Sequence, residues 1–130
     1  MKKHIVSHIA IYMLSAIMLF FGYYHLVHPK AMMKYGYIPD SNSVLWVKLV
    51  GVAFILAAIS FILNKYVKIA AYLLAAMLLA FAFFIHFDIY SNASADEVKV
   101  NALINILKDT ALAAFALHIA GSADSHGMKY

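Results

Sequence analysis

Four long apolar runs, separated by short polar segments, constrain the fold of this chain more than any other feature. They extend over residues 5–27, 44–63, 69–87 and 100–120. A helix that crosses a bilayer needs roughly 20 mostly apolar residues, since about 30 Å of hydrocarbon is covered at about 1.5 Å per residue. The sequence therefore predicts an all-α integral membrane four-helix bundle, with antiparallel up-down topology and a single domain over residues 1–130.

A water-soluble bundle of buried helices is the alternative. Each helix of such a bundle would carry a charged face, but residues 69–85 contain no charged side chain. Only 12% of the chain is charged, whereas soluble domains have about a quarter. The membrane interpretation is therefore favoured.

The first run has some features of a secretory signal peptide, because Met1, Lys2 and Lys3 precede it. Its apolar part is too long for a signal peptide. Tyr23 and Tyr24 also stand where a small-residue cleavage site would be expected. We interpret the run as a retained first helix.

The chain contains no cysteine, which excludes disulfides, thiolate metal sites and paired-thiol reduction of quinones. Every basic residue apart from histidine is a lysine. Without an arginine-rich patch, nothing indicates a nucleic-acid partner. The lysines are typical of anchors at the membrane edge.

The connections between the runs contain helix-breaking and capping residues. Pro29 ends the first helix, Pro39 predicts a turn, and Asn42 or Ser43 can cap the second helix. We expect this long connection to fold over one end of the bundle, with an interfacial belt of Met32, Met33, Tyr35 and Tyr37. The connection at residues 64–68 is short enough to make its two helices neighbours.

Lysine content predicts the orientation, because positive residues near helix ends stay in the cytoplasm. One side of the bundle has Lys2, Lys3, Lys65, Lys68 and Lys129, and the other has Lys30, Lys34 and Lys99 with Asp40, Asp88, Asp96 and Glu97. Both termini are therefore expected in the cytoplasm.

Polar side chains within the apolar runs are the candidate ligand-binding residues, because ionisable groups at membrane depth are costly. They are His25, Lys48, His86, Asn101, Asn105 and Asp109. If the helices alternate in direction, all six lie in the outer half of the bundle, away from the cytoplasm. The three on the fourth helix repeat every four residues, so they form one polar stripe.

Two interpretations of these residues remain open. In the first, they only join helices by hydrogen bonds, and Lys48 forms an ion pair with Asp109. In the second, they line a pocket for a polar or anionic headgroup. Lys108 is next to the stripe and could flank it, pair within the bundle or reach for headgroups.

A metal or haem site is less favoured. His25 and His86 could be imagined as axial haem ligands on facing helices. Histidines near helix ends are more often interfacial, however, and no spacing here requires a metal. Gly51 is instead interpreted as the point of a close helix crossing.

Several short motifs resemble the DoxX-like family of small four-helix membrane proteins. They are residues 21–29 (FGYYHLVHP), 38–39 (IP), 48–51 (KLVG), 85–86 (IH) and 107–109 (LKD). The resemblance covers most of the chain and implies the four-helix bundle. In some members it also implies a link to quinone-dependent oxidation of sulfur compounds or to membrane oxidoreductase complexes, and other relatives look like assembly factors.

One position departs from the family pattern. Many members carry a glutamate three residues after the glycine of the second helix, and this chain has Phe54 there. The departure argues against carboxylate-dependent redox chemistry on that helix.

Two functions are therefore expected as alternatives, both in a multi-pass protein of the bacterial inner membrane. The first is an accessory subunit of a membrane oxidoreductase whose pocket holds a quinone or lipid headgroup. In that pocket Lys48 or a histidine would donate to a quinone carbonyl and Asp109 would orient the donor. The second is a non-catalytic assembly factor or structural partner. The bilayer and either a membrane protein or a second copy of the chain are the expected partners.

Overall fold

The computed structural model describes residues 2–38 and 43–124, and it contains no β-strand in those ranges. The helices are α1 (Lys2–Val27), α2 (Pro29–Gly36), α3 (Ser43–Leu63), α4 (Val67–Asn92) and α5 (Asp96–Ser122). All except α2 are long and apolar enough to cross a membrane. The predicted all-helical fold with four long apolar helices is confirmed.

The loop between α4 and α5 is shorter than the predicted one and comprises residues 93–95. At the end of α4, Asn92 Nδ2 donates to the carbonyl oxygen of Asp88 at 2.9 Å. At the start of α5, the carboxylates of Asp96 and Glu97 occupy the first turn. Negative charge at a helix N-terminus interacts favourably with the free amides there. Polar residues that suggested a loop therefore extend both helices.

The connection after α1 is partly helical. Pro29 occupies the first turn of α2, where the missing amide proton costs no hydrogen bond. Tyr37 ends the helix with a φ of 54°, and its amide donates to the carbonyl of Lys34 at 3.2 Å. Met33, expected in an interfacial belt, is instead 3% exposed because the helix turns it inward. The expected turn at Pro39 and cap at Asn42 lie outside the described residues.

A π-helical turn interrupts α4 at Phe81–His86. There the amide of Phe87 donates to the carbonyl of Ala82, five residues back. Such turns widen the helix by a residue and often occur at functional sites. Here it ends on His86, which is buried.

The long helices pack chiefly as two pairs, α1 with α3 and α4 with α5, and α3 joins the pairs through α4. The crossing of α1 and α3 is close at two glycines. A Cβ added at Gly51 would lie 2.8 Å from His25 Cβ and 2.9 Å from the carbonyl oxygen of Gly22. The predicted close crossing at Gly51 is confirmed, and it fixes the position of His25.

The side chains facing away from the bundle are largely apolar. Leu73 is 66% exposed and Phe84 is 80% exposed. Soluble proteins rarely leave so much contiguous apolar surface in contact with water. This exposed apolar surface is suited to contact with lipid.

Candidate functional site

A cavity of about 450 Å³ lies at one end of the long helices. Its walls come from the C-terminal parts of α1 and α4 and from the N-terminal parts of α3 and α5. The short helix α2 adds Met32, Tyr35 and Gly36. The connection between the first two long helices therefore forms part of the cavity wall.

The polar wall of the cavity comes from α5. Asn101, Asn105, Lys108 and Asp109 line it together. Lys108 Nζ donates to Asn105 Oδ1 at 3.2 Å. Because a lysine can only donate, the amide nitrogen of Asn105 faces the other way and donates to Asn101 Oδ1 at 3.0 Å. No residue within 2–38 or 43–124 accepts from the amide nitrogen of Asn101, which remains a donor.

A buried ion cluster lies at the deep end of this polar wall. Asp109 Oδ2 is 3.3 Å from His86 Nε2, and Oδ1 is 3.6 Å from Lys108 Nζ. The side chain of Asp109 is 5% exposed and that of His86 is 11% exposed. A carboxylate buried this deeply is stable only with compensating partners. The cluster joins α4 to α5 and compensates the charge of Asp109.

The two ring nitrogens of His86 have different environments. Nε2 belongs to this cluster, whereas Nδ1 is buried outside it. Its Nδ1 has no hydrogen-bond partner among the described residues. A buried lone pair costs less than a buried unpaired N–H donor when the other ring nitrogen already donates. We therefore assign the proton to Nε2, which donates to Asp109. Within the same cluster, the positive charge of Lys108 is opposed by the negative charge of Asp109.

His25 approaches the cavity from α1. Its Nδ1 donates to the carbonyl oxygen of Phe21 at 2.6 Å, which leaves Nε2 as an acceptor in the neutral ring. The His25 ring meets the Phe54 ring edge to face, with centroids 5.2 Å apart. Lys108 Nζ lies 5.2 Å from the centroid of the Phe21 ring, within reach of a cation–π interaction. The Phe21 ring is thus adjacent to both Lys108 and His25, whose ring centroid lies 6.4 Å from it.

The opposite wall is apolar and belongs largely to α3. Val47, Val50 and Phe54 line it, together with Trp46, which is the single tryptophan of the chain. Phe54 is 6% exposed. The cavity is therefore amphipathic, with hydrogen-bond donors on one side and aliphatic and aromatic surface on the other.

No family model matches the chain, and no curated protein or solved structure is significantly similar to it.

Five of the six predicted ligand-binding residues line the same cavity. They are His25, His86, Asn101, Asn105 and Asp109. The structure thus brings together residues from three helices that are up to 84 positions apart in the chain, as His25 and Asp109 are. Within the described ranges, no group of three His, Asp or Glu side chains is placed to hold a metal ion.

Lys48 is the exception, and the expected ion pair between Lys48 and Asp109 is wrong. Lys48 is exposed and does not line the cavity. The cavity-facing positions of α3 include Val47 and Val50, and a residue between them is rotated away by about 100° per position. Asp109 has His86 and Lys108 as its partners instead.

Lys108 is the residue that the stripe of four-residue spacing missed. It lies three positions after Asn105, which also places it on the cavity side of α5. Its long aliphatic stem lets the ammonium group reach back to both Asn105 and Asp109. A search for three-residue as well as four-residue spacings would have included it.

The rim of the cavity has a further link between the segment after α2 and the start of α5. The hydroxyl of Tyr37 donates to Glu97 Oε1 at 3.4 Å. Removal from water raises the pKa of the Tyr37 phenol, and the charge and hydrogen bond of Glu97 raise this pKa further. The phenol is therefore protonated, and able to donate, throughout the neutral range.

Proposed function

We propose that this chain spans the membrane four times, with α1, α3, α4 and α5 alternating in direction. Two observations support the alternation. The cavity is lined by the ends of α1 and α4 and by the beginnings of α3 and α5. At the opposite end, Lys68 near the start of α4 lies 4.0 Å from Asp124 just after α5. With both termini in the cytoplasm, the cavity lies in the outer half of the bundle.

The proposed function is to bind the polar head of a quinone in this cavity, with the apolar tail leading toward the lipid. The observation that carries the proposal is the division of the cavity into a donor wall and an apolar wall. Lys108 and Asn101 supply donors for a carbonyl oxygen, and the aliphatic and aromatic wall of α3 packs against a ring. Pockets of this size and composition are typical of small-molecule sites.

The charge balance of the cavity favours a neutral head over an anionic lipid headgroup. Lys108 is the cation of the polar wall, and its charge is opposed by Asp109 at 3.6 Å. An anionic headgroup would therefore meet a lysine whose charge Asp109 already opposes. A quinone carbonyl requires only donors, and it adds no charge that the buried site would have to balance.

In this proposal the protein is an accessory subunit of a membrane oxidoreductase in the bacterial inner membrane. The resemblance to the DoxX-like family supports that role, and we propose membership of that family on the same motifs. The chain itself positions and shields the quinone head. His25, His86 and Lys108 are the groups that could hold a proton beside it.

Trp46 provides a direct test, because it is the single tryptophan and it lines the cavity. The full-length protein is placed in lipid nanodiscs and titrated with a short-tail ubiquinone while indole fluorescence is recorded. Quinone bound against Trp46 should quench the signal in a saturable way. Lys108→Met and Asn101→Leu should each shift the midpoint about tenfold, the effect of losing roughly 1.4 kcal/mol of hydrogen bonding.

Phe83→Leu is the matched control, since Phe83 is 63% exposed and does not line the cavity. It should leave the titration unchanged. Quenching that rises linearly with quinone in every variant would reflect partition into lipid and would contradict the proposal. Copurification of a membrane protein partner with a chain that binds no quinone would favour the alternative function as an assembly factor.

A further inference from the structure

A second concave site lies between α3 and α4 at the end opposite the cavity. It is a groove of about 550 Å³, open to the surface. Its walls are almost entirely apolar and include Ala53, Leu56, Ala70, Leu73 and Met77. The small side chains on both helices leave the groove between them. Nothing in the proposed quinone site uses it.

The length of the groove corresponds to one leaflet of a bilayer. Along α3 its lining residues run from Ala53 to Leu63, and along α4 from Ile69 to Met77. Ten residues of helix extend about 15 Å, which is half of the roughly 30 Å hydrocarbon layer. The groove therefore reaches from the end of the helices to the middle of the membrane.

Polar groups mark the end of the groove at the membrane edge. Ser60, Lys65 and Tyr66 line it there. A tight turn fixes them, with the hydroxyl of Ser60 donating to the carbonyl of Lys65 and the amide of Lys65 donating to the carbonyl of Ser60 at 3.0 Å. The turn is also defined by Tyr66, whose φ is 55°. This structured turn, which we call the lip of the groove, carries the ammonium group of Lys65 and the phenol of Tyr66.

Lys65 is the cation of this lip. It has no ion-pair partner within residues 2–38 and 43–124. The nearby Lys68, by contrast, lies 4.0 Å from Asp124. The groove therefore combines an apolar channel of one-leaflet depth with a positive charge at its mouth that no described residue compensates.

We propose that this groove binds one acyl chain of an anionic phospholipid whose phosphate contacts Lys65 and Tyr66. The lipid brings the negative charge that the lip lacks. A partner helix packed into the groove would instead cover the Lys65 ammonium without a counter-charge, which is costly. Basic sites between membrane helices on the cytoplasmic side suit such lipids, since anionic lipids are concentrated in that leaflet.

The test uses full-length protein reconstituted in vesicles of equal phosphatidylglycerol and phosphatidylcholine. After gentle extraction, native mass spectrometry counts the lipids that remain bound. One phosphatidylglycerol should be retained in about fivefold preference to phosphatidylcholine, as one lysine near an anionic surface implies. Lys65→Gln should abolish the preference. Lys99→Gln, at the opposite end of the molecule, should leave it intact.

A second variant tests the groove itself. Ala70 lines it and is half-buried, so Ala70→Leu should fill it and reduce retention of both lipids, with the helical content in circular dichroism unchanged. Equal retention of the two lipids by the unaltered protein would overturn the proposal. Equal losses in Lys65→Gln and Lys99→Gln would also overturn it, as would a dimer that Ala70→Leu dissociates. None of these results depends on quinone binding.

Discussion

Asp109 is the residue whose environment differs most from the expectation. Its carboxylate lies between His86 Nε2 and Lys108 Nζ, at 3.3 and 3.6 Å. His86 contributes a hydrogen bond to a charged oxygen, and Lys108 still opposes the charge of Asp109 when His86 is replaced. We therefore expect His86→Leu and Asp109→Asn each to lower the free energy of unfolding in detergent by about 2 kcal/mol, the effect of losing a hydrogen bond to a charged group. The double variant should cost less than the sum of the two.

Lys48 supplies the control for this double-mutant cycle. It is exposed, and Asp109 has its partners elsewhere. Lys48→Met combined with Asp109→Asn should therefore be additive within about 0.5 kcal/mol, as for residues that do not interact. If the unfolding free energies show coupling between Lys48 and Asp109 and none between His86 and Asp109, the ion pair between Lys48 and Asp109 would be correct after all.

Asn105 occupies the middle of the polar wall, where it accepts from Lys108 and donates to Asn101. Its replacement by leucine removes both bonds. We expect Asn105→Leu to lower the unfolding free energy by about 1 to 2 kcal/mol, because each of these two hydrogen bonds within α5 contributes on the order of 0.5 to 1.5 kcal/mol. Phe83→Leu, on the exposed surface, should change it little. Thermal melts in one detergent compare the two, and equal melting temperatures would contradict a special role for Asn105.

The α1–α3 crossing is the element-level feature on which the cavity depends. A Cβ at Gly51 would lie 2.8 Å from His25 Cβ and 2.9 Å from the carbonyl oxygen of Gly22. Backbone cannot yield as a flexible side chain can, so Gly51→Ala should separate the helices and cost about 1 to 3 kcal/mol. It should also weaken quinone quenching of Trp46, since His25 would move.

Gly121 in α5 is a matched control for that substitution. A Cβ added there would meet no atom within 4 Å. Alanine favours a helix over glycine by up to about 1 kcal/mol, so Gly121→Ala should leave the melting temperature unchanged or raise it. A fall as large as that of Gly51→Ala would mean that the close crossing is not the cause.

The helices were predictable to the extent that their apolar runs are unbroken. The end of α1 agrees with the prediction at Val27, and that of α3 agrees at Leu63. The π-helical turn was not predictable, because Phe81–His86 has no glycine or proline to signal it. The cavity residues of α5 followed from their four-residue spacing, and His25 and His86 followed from their depth in the apolar runs. Lys48 was wrongly expected at the cavity, because depth in the membrane says nothing about the side of the helix.

At the scale of the whole molecule, the two ends have different chemistry. The cavity end has a charge-balanced pair, Lys108 and Asp109, beside an apolar wall. The groove end has Lys65 at the mouth of an apolar channel. A neutral polar head suits the first end and an anionic head the second. If the chain has one orientation in the membrane, each leaflet therefore meets a different site.

The lysine distribution predicts that orientation. The groove end has Lys65 and Lys68 in its turn and Lys2 and Lys3 at the start of α1, whereas the cavity end has Lys30, Lys34 and Lys99 among Asp88, Asp96 and Glu97. Positive residues near helix ends are retained in the cytoplasm. A reporter fused after Tyr130 should therefore be cytoplasmic. One inserted at Ser94, between α4 and α5, should be on the other side.

Two reporters together make the orientation test decisive, because each possible result has a distinct meaning. Ser94 and Tyr130 are separated by α5, whose 27 residues are enough to cross the membrane. Both reporters on one side would mean that α5 does not cross. If the two reporters lie on opposite sides and Ser94 is cytoplasmic, the protein has the inverse orientation. The Lys65 lip then faces away from the leaflet where anionic lipids concentrate. Only Tyr130 in the cytoplasm with Ser94 outside agrees with the lysine distribution.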